Sequence, residues 1–103
     1  MRIDVIGKNI EVTEPLKQHA VSRVNKFDKF FDRIQQVVVT LSKADHHKHG
    51  DFEAELRIDV EGHDDFVAHA HGADMYAVID DVSHKASRQL HEYKERLKPG
   101  HHR

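Results

Sequence analysis

The sequence predicts a two-layer α+β sandwich with the element order β-α-β-β-β-α, in which a four-stranded sheet carries two helices on one face. Two segments repeat apolar residues at helical spacing, and four shorter segments alternate or are rich in β-branched residues. The connections between the last three strands are short, which favours antiparallel hairpins. Because the sheet has one apolar face and each helix one apolar stripe, stacking the helices on that face buries them all.

Size and composition limit the class of protein. With 103 residues the chain fits one domain, residues 1–103, and 38% hydrophobic and 33% charged residues are typical of a folded, water-soluble protein. No run approaches the roughly 20 apolar residues of a membrane span, and the N-terminus lacks the apolar centre of a signal peptide, so we expect a cytoplasmic protein without membrane contact. The absence of cysteine excludes disulfides, thiol nucleophiles and thiolate metal sites.

The first half of the chain predicts a short strand, a long helix and a second strand. Ile3 and Val5 alternate and are followed by Gly7. Thr13 and Pro15 are typical of the start of a helix, the first as N-cap and the second in the first turn. The helix is expected to run for about five turns, because apolar residues recur every three or four positions. These residues are Leu16, Ala20, Val24, Phe27, Phe31 and Ile34, and the β-branched segment 36–42 after them predicts a strand.

The second half predicts a hairpin and a final helix. Residues 52–60 alternate strictly, Gly62 marks a turn, and residues 66–71 resume the alternation, with His69 and His71 on the outer face. Asp74 is the expected N-cap of a helix from Asp74 to Lys98. Its apolar stripe is predicted to contain Met75, Val78, Ile79, Val82, Ala86, Leu90, Tyr93 and Leu97.

Charge is sorted along the chain although the formal net charge is only −2. Residues 16–33 hold five basic and two acidic residues, residues 82–103 hold six and two, and residues 43–75 hold three and nine. We therefore expect a cationic rim on the helices opposite an acidic sheet face. The alternative is an ordinary solvated helix surface. The cations outside the apolar stripes are Arg23, Lys26, Lys29 and Arg33 in the first helix and Lys85, Arg88, Lys94, Arg96 and Lys98 in the last.

Three motifs carry a resemblance to a known family. They are Phe31-Asp32-Arg33-Ile34, Asp74-Met75-Tyr76-Ala77 and Lys94-Glu95-Arg96-Leu97-Lys98, placed at the ends of the two helices. With them the whole chain resembles the ribosome hibernation-promoting factors, also called ribosome-associated inhibitors or sigma-factor modulation proteins. The resemblance implies a fold similar to double-stranded RNA-binding domains. It also implies binding to the small ribosomal subunit, in the channel of messenger RNA and the tRNA anticodon stems, and thereby a block of translation.

By the same resemblance, the helix cations above contact ribosomal RNA, and Tyr76 either stacks on RNA or packs with its hydroxyl at the surface. Since the chain ends at Arg103, we expect the short type, which favours inactive ribosomes or ribosome dimers in stationary phase or stress beside a separate ribosome modulation factor. We expect a monomer off the ribosome. Glu92 and Glu95 make the last helix less basic than is usual in this family.

Eleven histidines raise two further hypotheses. His69 and His71 on one strand, near His46, His47 and His49, suggest imidazole ligands for zinc or nickel, but without cysteine or a His-Glu-x-x-His motif we expect neither metal nor cofactor. Protonation near pH 6 is expected instead to strengthen ribosome binding.

No glycine-rich phosphate loop and no nucleophile with a base partner is present, so we expect no enzymatic activity and no catalytic residues. The paired acids Asp64-Asp65 and Asp80-Asp81 are assigned to a turn and to a helix start. The main alternative function is a protein-interaction module that uses the acidic sheet face or a strand edge.

Overall fold

The computed structural model describes residues 1–43 and 51–97 and follows the predicted element order with one added short helix. The four strands are β1 (Arg2–Lys8), β2 (Ile34–Lys43), β3 (Phe52–Val60) and β4 (Phe66–Gly72). The three helices are α1 (Glu14–Val24), α2 (Phe27–Phe30) and α3 (Met75–Leu97). The predicted α+β fold class is therefore confirmed.

The strands form one mixed sheet in the order β1-β2-β3-β4. β2, β3 and β4 are joined by antiparallel pairing, as the short connections predict. β1 instead pairs in parallel with β2, with Val5 opposite Val39. Parallel neighbours need a long crossover, and α1 and α2 provide it. The first strand thus becomes one edge of the sheet and β4 the other.

The core lies between one sheet face and the helices. Alternate residues of the strands point into it, and the inward residues of β2 and β3 are almost fully buried. α3 covers this face with its apolar stripe, and α1 packs beside α3. The largest fully buried side chains are Phe27, Leu41, Leu56, Ile58, Ile79 and Leu90.

The predicted five-turn first helix is wrong in its second half. α1 ends at Val24, the short helix α2 follows, and Phe31 is already extended, with φ −151° and ψ 114°. Ile34 begins β2. The apolar spacing misleads because Phe27, Phe31 and Ile34 are all buried, but they reach the core from a turn of helix, a loop and a strand. The need to bring β2 beside β1 overrides the helical periodicity.

The helix starts agree with the sequence, whereas the end of the last stripe does not. Thr13 Oγ1 accepts a hydrogen bond from Leu16 N at 3.4 Å, and Asp74 Oδ1 accepts one from Tyr76 N at 3.0 Å, so both predicted caps are confirmed. The stripe of α3 is buried from Met75 to Tyr93. Leu97, one turn further on, is 43% exposed and does not belong to the core.

Candidate nucleic-acid interface

A groove runs along the helical layer between α3 and the α1–α2 segment. It consists of two adjoining depressions of about 430 and 360 Å³ that share Phe30 as a lining residue. Basic side chains line both, and we call the five of them the cationic groove: Arg23, Lys26, Lys29, Arg33 and Lys94. All five are among the residues that the sequence predicts to contact RNA.

The break between α1 and α2 determines where three of these cations lie. Lys26 is in the turn between the helices, Lys29 in α2 and Arg33 in the turn before β2, and all three are exposed. The sequence suggests that they form a flank of one long helix, and the structure shows that they do not. Asp28 and Asp32 line the same depression, so the groove carries mixed charge with a positive excess.

Arg23 is held by a carboxylate from the opposite helix. Arg23 Nε donates to Asp80 Oδ1 at 2.7 Å, and His19 Nε2 lies 2.8 Å from the same oxygen. Partial burial raises the pKa of the Asp80 carboxyl, but hydrogen bonds and charge attraction from Arg23 and His19 lower it by more, so this pKa lies below the usual aspartate value. The cluster joins α1 to α3 at one end of the groove.

Lys94 is fixed at the other end. Its Nζ donates to the backbone carbonyl of Phe30, and the Phe30 ring stacks on His91 with centroids 4.2 Å apart and planes 5° from parallel. A lysine bonded to a neutral carbonyl keeps its positive charge, so Lys94 still contributes to the field of the groove. These contacts fix the position of α2 against α3.

The remaining cations of α3 do not line this groove. Lys85 Nζ donates to the His69 carbonyl at 2.7 Å, at the edge of β4. Arg96 lies eleven residues later, about three turns along the same side of the helix, with its guanidinium 6.0 Å from the Tyr93 ring centroid. Arg88 is exposed. The single cationic rim expected from the sequence is therefore divided into the groove and a second, smaller flank beside β4.

Tyr76 does not line the groove but a separate depression next to α1, together with Thr13 and Leu16. It is 41% exposed and makes an edge contact with His19 at 5.1 Å between ring centroids. The ring is thus accessible from solvent. Lys98, also predicted to contact RNA, lies outside the described residues, as do His46, His47 and His49.

Sequence reasoning missed several residues of the groove. Asp80, His84 and Ser87 line it and recur at spacings of four and three. His91, which stacks on the lining residue Phe30, follows four residues after Ser87, so all four lie along one flank of α3. That spacing is the signal that identifies them. Asp80 is the sixth residue of α3 and pairs with Arg23, so its assignment to a helix start is wrong.

Residues 3–98 match the family model described as Sigma 54 modulation protein / S30EA ribosomal protein. The chain belongs to this family. The match confirms the resemblance that the helix-end motifs indicate.

Relatives with established names support the same membership. The ribosome hibernation promoting factor of Escherichia coli K12 is 37% identical over 98 residues, which cover 95% of this chain and 98% of that protein. The ribosome hibernation promotion factor of Deinococcus radiodurans is 35% identical over 91 residues, covering 87% of this chain but 47% of that longer protein.

Two solved structures share the fold of this family member. A ribosomal subunit interface protein from Coxiella burnetii has a TM-score of 0.80 at 20% identity, covering 91% of this chain and 98% of that one. The N-terminal domain of Thermus thermophilus Protein Y has a TM-score of 0.77 at 25% identity, covering 90% and 99%.

The sheet face away from the helices is less acidic in this family member than the sequence suggests. Parallel pairing of β1 adds Arg2 and Lys8 to that face together with one acid, Asp4, which lies 3.2 Å from Arg2 Nε. Arg57 lies within 3.5 Å of carboxylates from Glu55 and Asp65. His69 Nε2 lies 3.5 Å from Glu55. Within residues 1–43 and 51–97, no group of three or more histidine, aspartate or glutamate side chains has a geometry that could hold a metal ion. None of the described helices is long and apolar enough to cross a membrane.

Proposed function

We propose that this protein is a ribosome hibernation factor that binds the small ribosomal subunit through the cationic groove and keeps the ribosome inactive. The observation that carries the proposal is the set of five basic side chains brought together between α3 and the α1–α2 segment, in a chain 37% identical to a ribosome hibernation promoting factor. Its place of action is the cytoplasm, where ribosomes translate, and its role is regulatory rather than enzymatic.

The groove suits a phosphate backbone better than a base sequence. Lysine and arginine attract phosphates through counterion release, which is independent of sequence. Folded RNA is recognised largely by its shape, so a rigid arrangement of cations supplies the specificity. The Lys94 bond to Phe30 and the Arg23 bond to Asp80 fix two of the five cations relative to the core.

We propose the channel of messenger RNA and the tRNA anticodon stems as the binding position, because occupancy there blocks translation directly. The exposed Tyr76 and the β4 flank cations Lys85 and Arg96 then face further ribosomal RNA around the groove. Formation of inactive ribosome dimers, with a separate modulation factor on the same ribosome, is a consequence to be tested.

The test is cosedimentation of the purified protein with isolated small and large subunits at low and high salt, together with inhibition of translation in vitro. We expect binding to small subunits that is lost as salt rises, and inhibition that is abolished in Lys26→Glu/Lys29→Glu. The charge-matched control Arg2→Glu/Lys8→Glu, on the open sheet face, should inhibit like wild type. Salt-resistant binding, or inhibition lost only in the control, would favour a protein-interaction module that uses the sheet face.

A further inference from the structure

An acidic residue, Asp80, lines one end of the cationic groove, where a negative charge is unfavourable for binding RNA. One oxygen of Asp80, Oδ1, accepts hydrogen bonds from both Arg23 and His19, and the Asp80 side chain is 36% exposed. Placed next to phosphates, an unpartnered carboxylate repels them. Because this carboxylate is paired with Arg23 and His19, it instead holds two side chains in place.

The bond to Asp80 leaves the phosphate-binding end of Arg23 available. Arg23 donates to Asp80 through Nε, whereas the two terminal nitrogens of its guanidinium carry four further N–H donors. The Arg23 side chain is 38% exposed and lines the groove. An arginine anchored through Nε has fewer rotamers to lose when it binds a phosphate, so its orientation is set before RNA arrives.

The same oxygen orders a second group. His19 is bonded to Asp80 on one side and makes the edge contact with the Tyr76 ring on the other. The carboxylate of α3 therefore fixes side chains from α1 and, through His19, the exposed tyrosine at the start of its own helix. One oxygen atom thus contacts Arg23 and His19 directly and is connected to Tyr76 through His19.

From this geometry we infer that Asp80 is a positioning residue for RNA binding, which orients Arg23 in the groove and, through His19, Tyr76 beside it. The inference rests on the proposed function. Simple electrostatics predicts that removing the negative charge of Asp80 strengthens binding to RNA. The inference predicts that it weakens binding.

The experiment measures the affinity of Asp80→Ala for small ribosomal subunits and the salt dependence of that affinity. Asp81→Ala is the matched control, since it removes the same charge from an exposed neighbour on α3. We expect about three- to tenfold weaker binding for Asp80→Ala and a salt slope lower by about 0.7 to 0.9, the contribution of one phosphate contact. The control should bind as tightly as wild type or slightly more tightly.

A double-mutant cycle with Arg23→Ala separates positioning from a purely structural effect. If Asp80 acts through Arg23 as well as through His19 and Tyr76, the double variant loses less affinity than the sum of the two single losses. Asp80→Asn keeps an oxygen acceptor without the charge and should recover part of the affinity; it also carries the test if Asp80→Ala does not fold. Unchanged or tighter binding of both Asp80 variants, or losses that add with Arg23→Ala, would overturn the inference. Failure of wild type to bind would instead reject the proposed function.

Discussion

If the cationic groove is the ribosome-binding surface, as proposed, the number of its cations that meet phosphates sets the salt dependence of binding. Five basic side chains line it, three of them exposed and two fixed by hydrogen bonds. If each neutralises one phosphate, the logarithm of the binding constant falls with the logarithm of salt with a slope of about −3.5 to −4.5. Raising salt from about 50 to 200 mM should then weaken binding about 100- to 500-fold.

The perturbation that tests this number is Lys26→Gln/Lys29→Gln. It removes two exposed cations without adding repulsion, and both lysines lie on the surface, outside the core. Three contacts remain, so the slope should fall to about −2.1 to −2.7 and the same rise in salt should weaken binding only about 20- to 40-fold. The assay is equilibrium binding of labelled protein to small subunits at constant pH and magnesium.

Arg2→Gln/Lys8→Gln is the control for net charge. Both residues are exposed on β1, at the opposite face of the sheet, and the Arg2 ion pair with Asp4 is too exposed to matter much for stability. We expect the wild-type slope from this variant. A wild-type slope in the Lys26 and Lys29 variant, or an equal reduction in both, would refute the assignment of phosphate contacts to the groove.

Three further predictions concern the fold. Leu90→Ala should lower the free energy of unfolding by about 2 to 5 kcal/mol because Leu90 is fully buried, whereas Leu97→Ala should lower it by less than about 0.5 kcal/mol. Equal losses in urea unfolding would contradict the burial pattern. Because the pKa of Asp80 is lowered in the folded protein, its carboxylate stabilises the fold above about pH 4, and this stabilisation is lost as the pH falls through the folded-state pKa. The difference in unfolding free energy between wild type and Asp80→Asn should therefore shrink on acidification. A constant difference in urea titrations from pH 7 to 3 would be inconsistent with this. Gly7→Ala should lower stability by about 1 to 3 kcal/mol, because the new Cβ would collide with the backbone carbonyl of Ile10, and an unchanged thermal midpoint would disprove the collision.

Local patterns predict those parts of the fold that local interactions determine. The sequence predicts correctly the caps at Thr13 and Asp74, the stripe of α3 and the alternation of β3, because each depends on neighbours within a few residues. The sequence does not predict where α1 ends, because the residues that continue its apolar periodicity are buried in the core from outside this helix. The parallel pairing of β1 with β2 is likewise decided by the crossover and not by either strand.

The same limit applies to the candidate site. Residue type and family resemblance indicate the cations, but the division of α3 into a groove side and a β4 side depends on contacts such as Lys85 with the His69 carbonyl. The pair of Arg23 and Asp80 joins residues 57 positions apart, and nothing in the local sequence of either one predicts the other. A search for polar residues at helical spacing beside the buried stripe finds Asp80 and His91, although it does not give their partners.

The most direct test of the central claim is a cross-link from each side of the molecule to the ribosome. Because the chain has no cysteine, Asp28→Cys in the groove and Glu53→Cys on the open sheet face can each carry one short photoreactive group. We predict that the probe at position 28 cross-links to small-subunit RNA lining the messenger and tRNA channel, and that the probe at position 53 does so much less. Cross-links that come mainly from position 53, or that map away from the channel, would contradict the account.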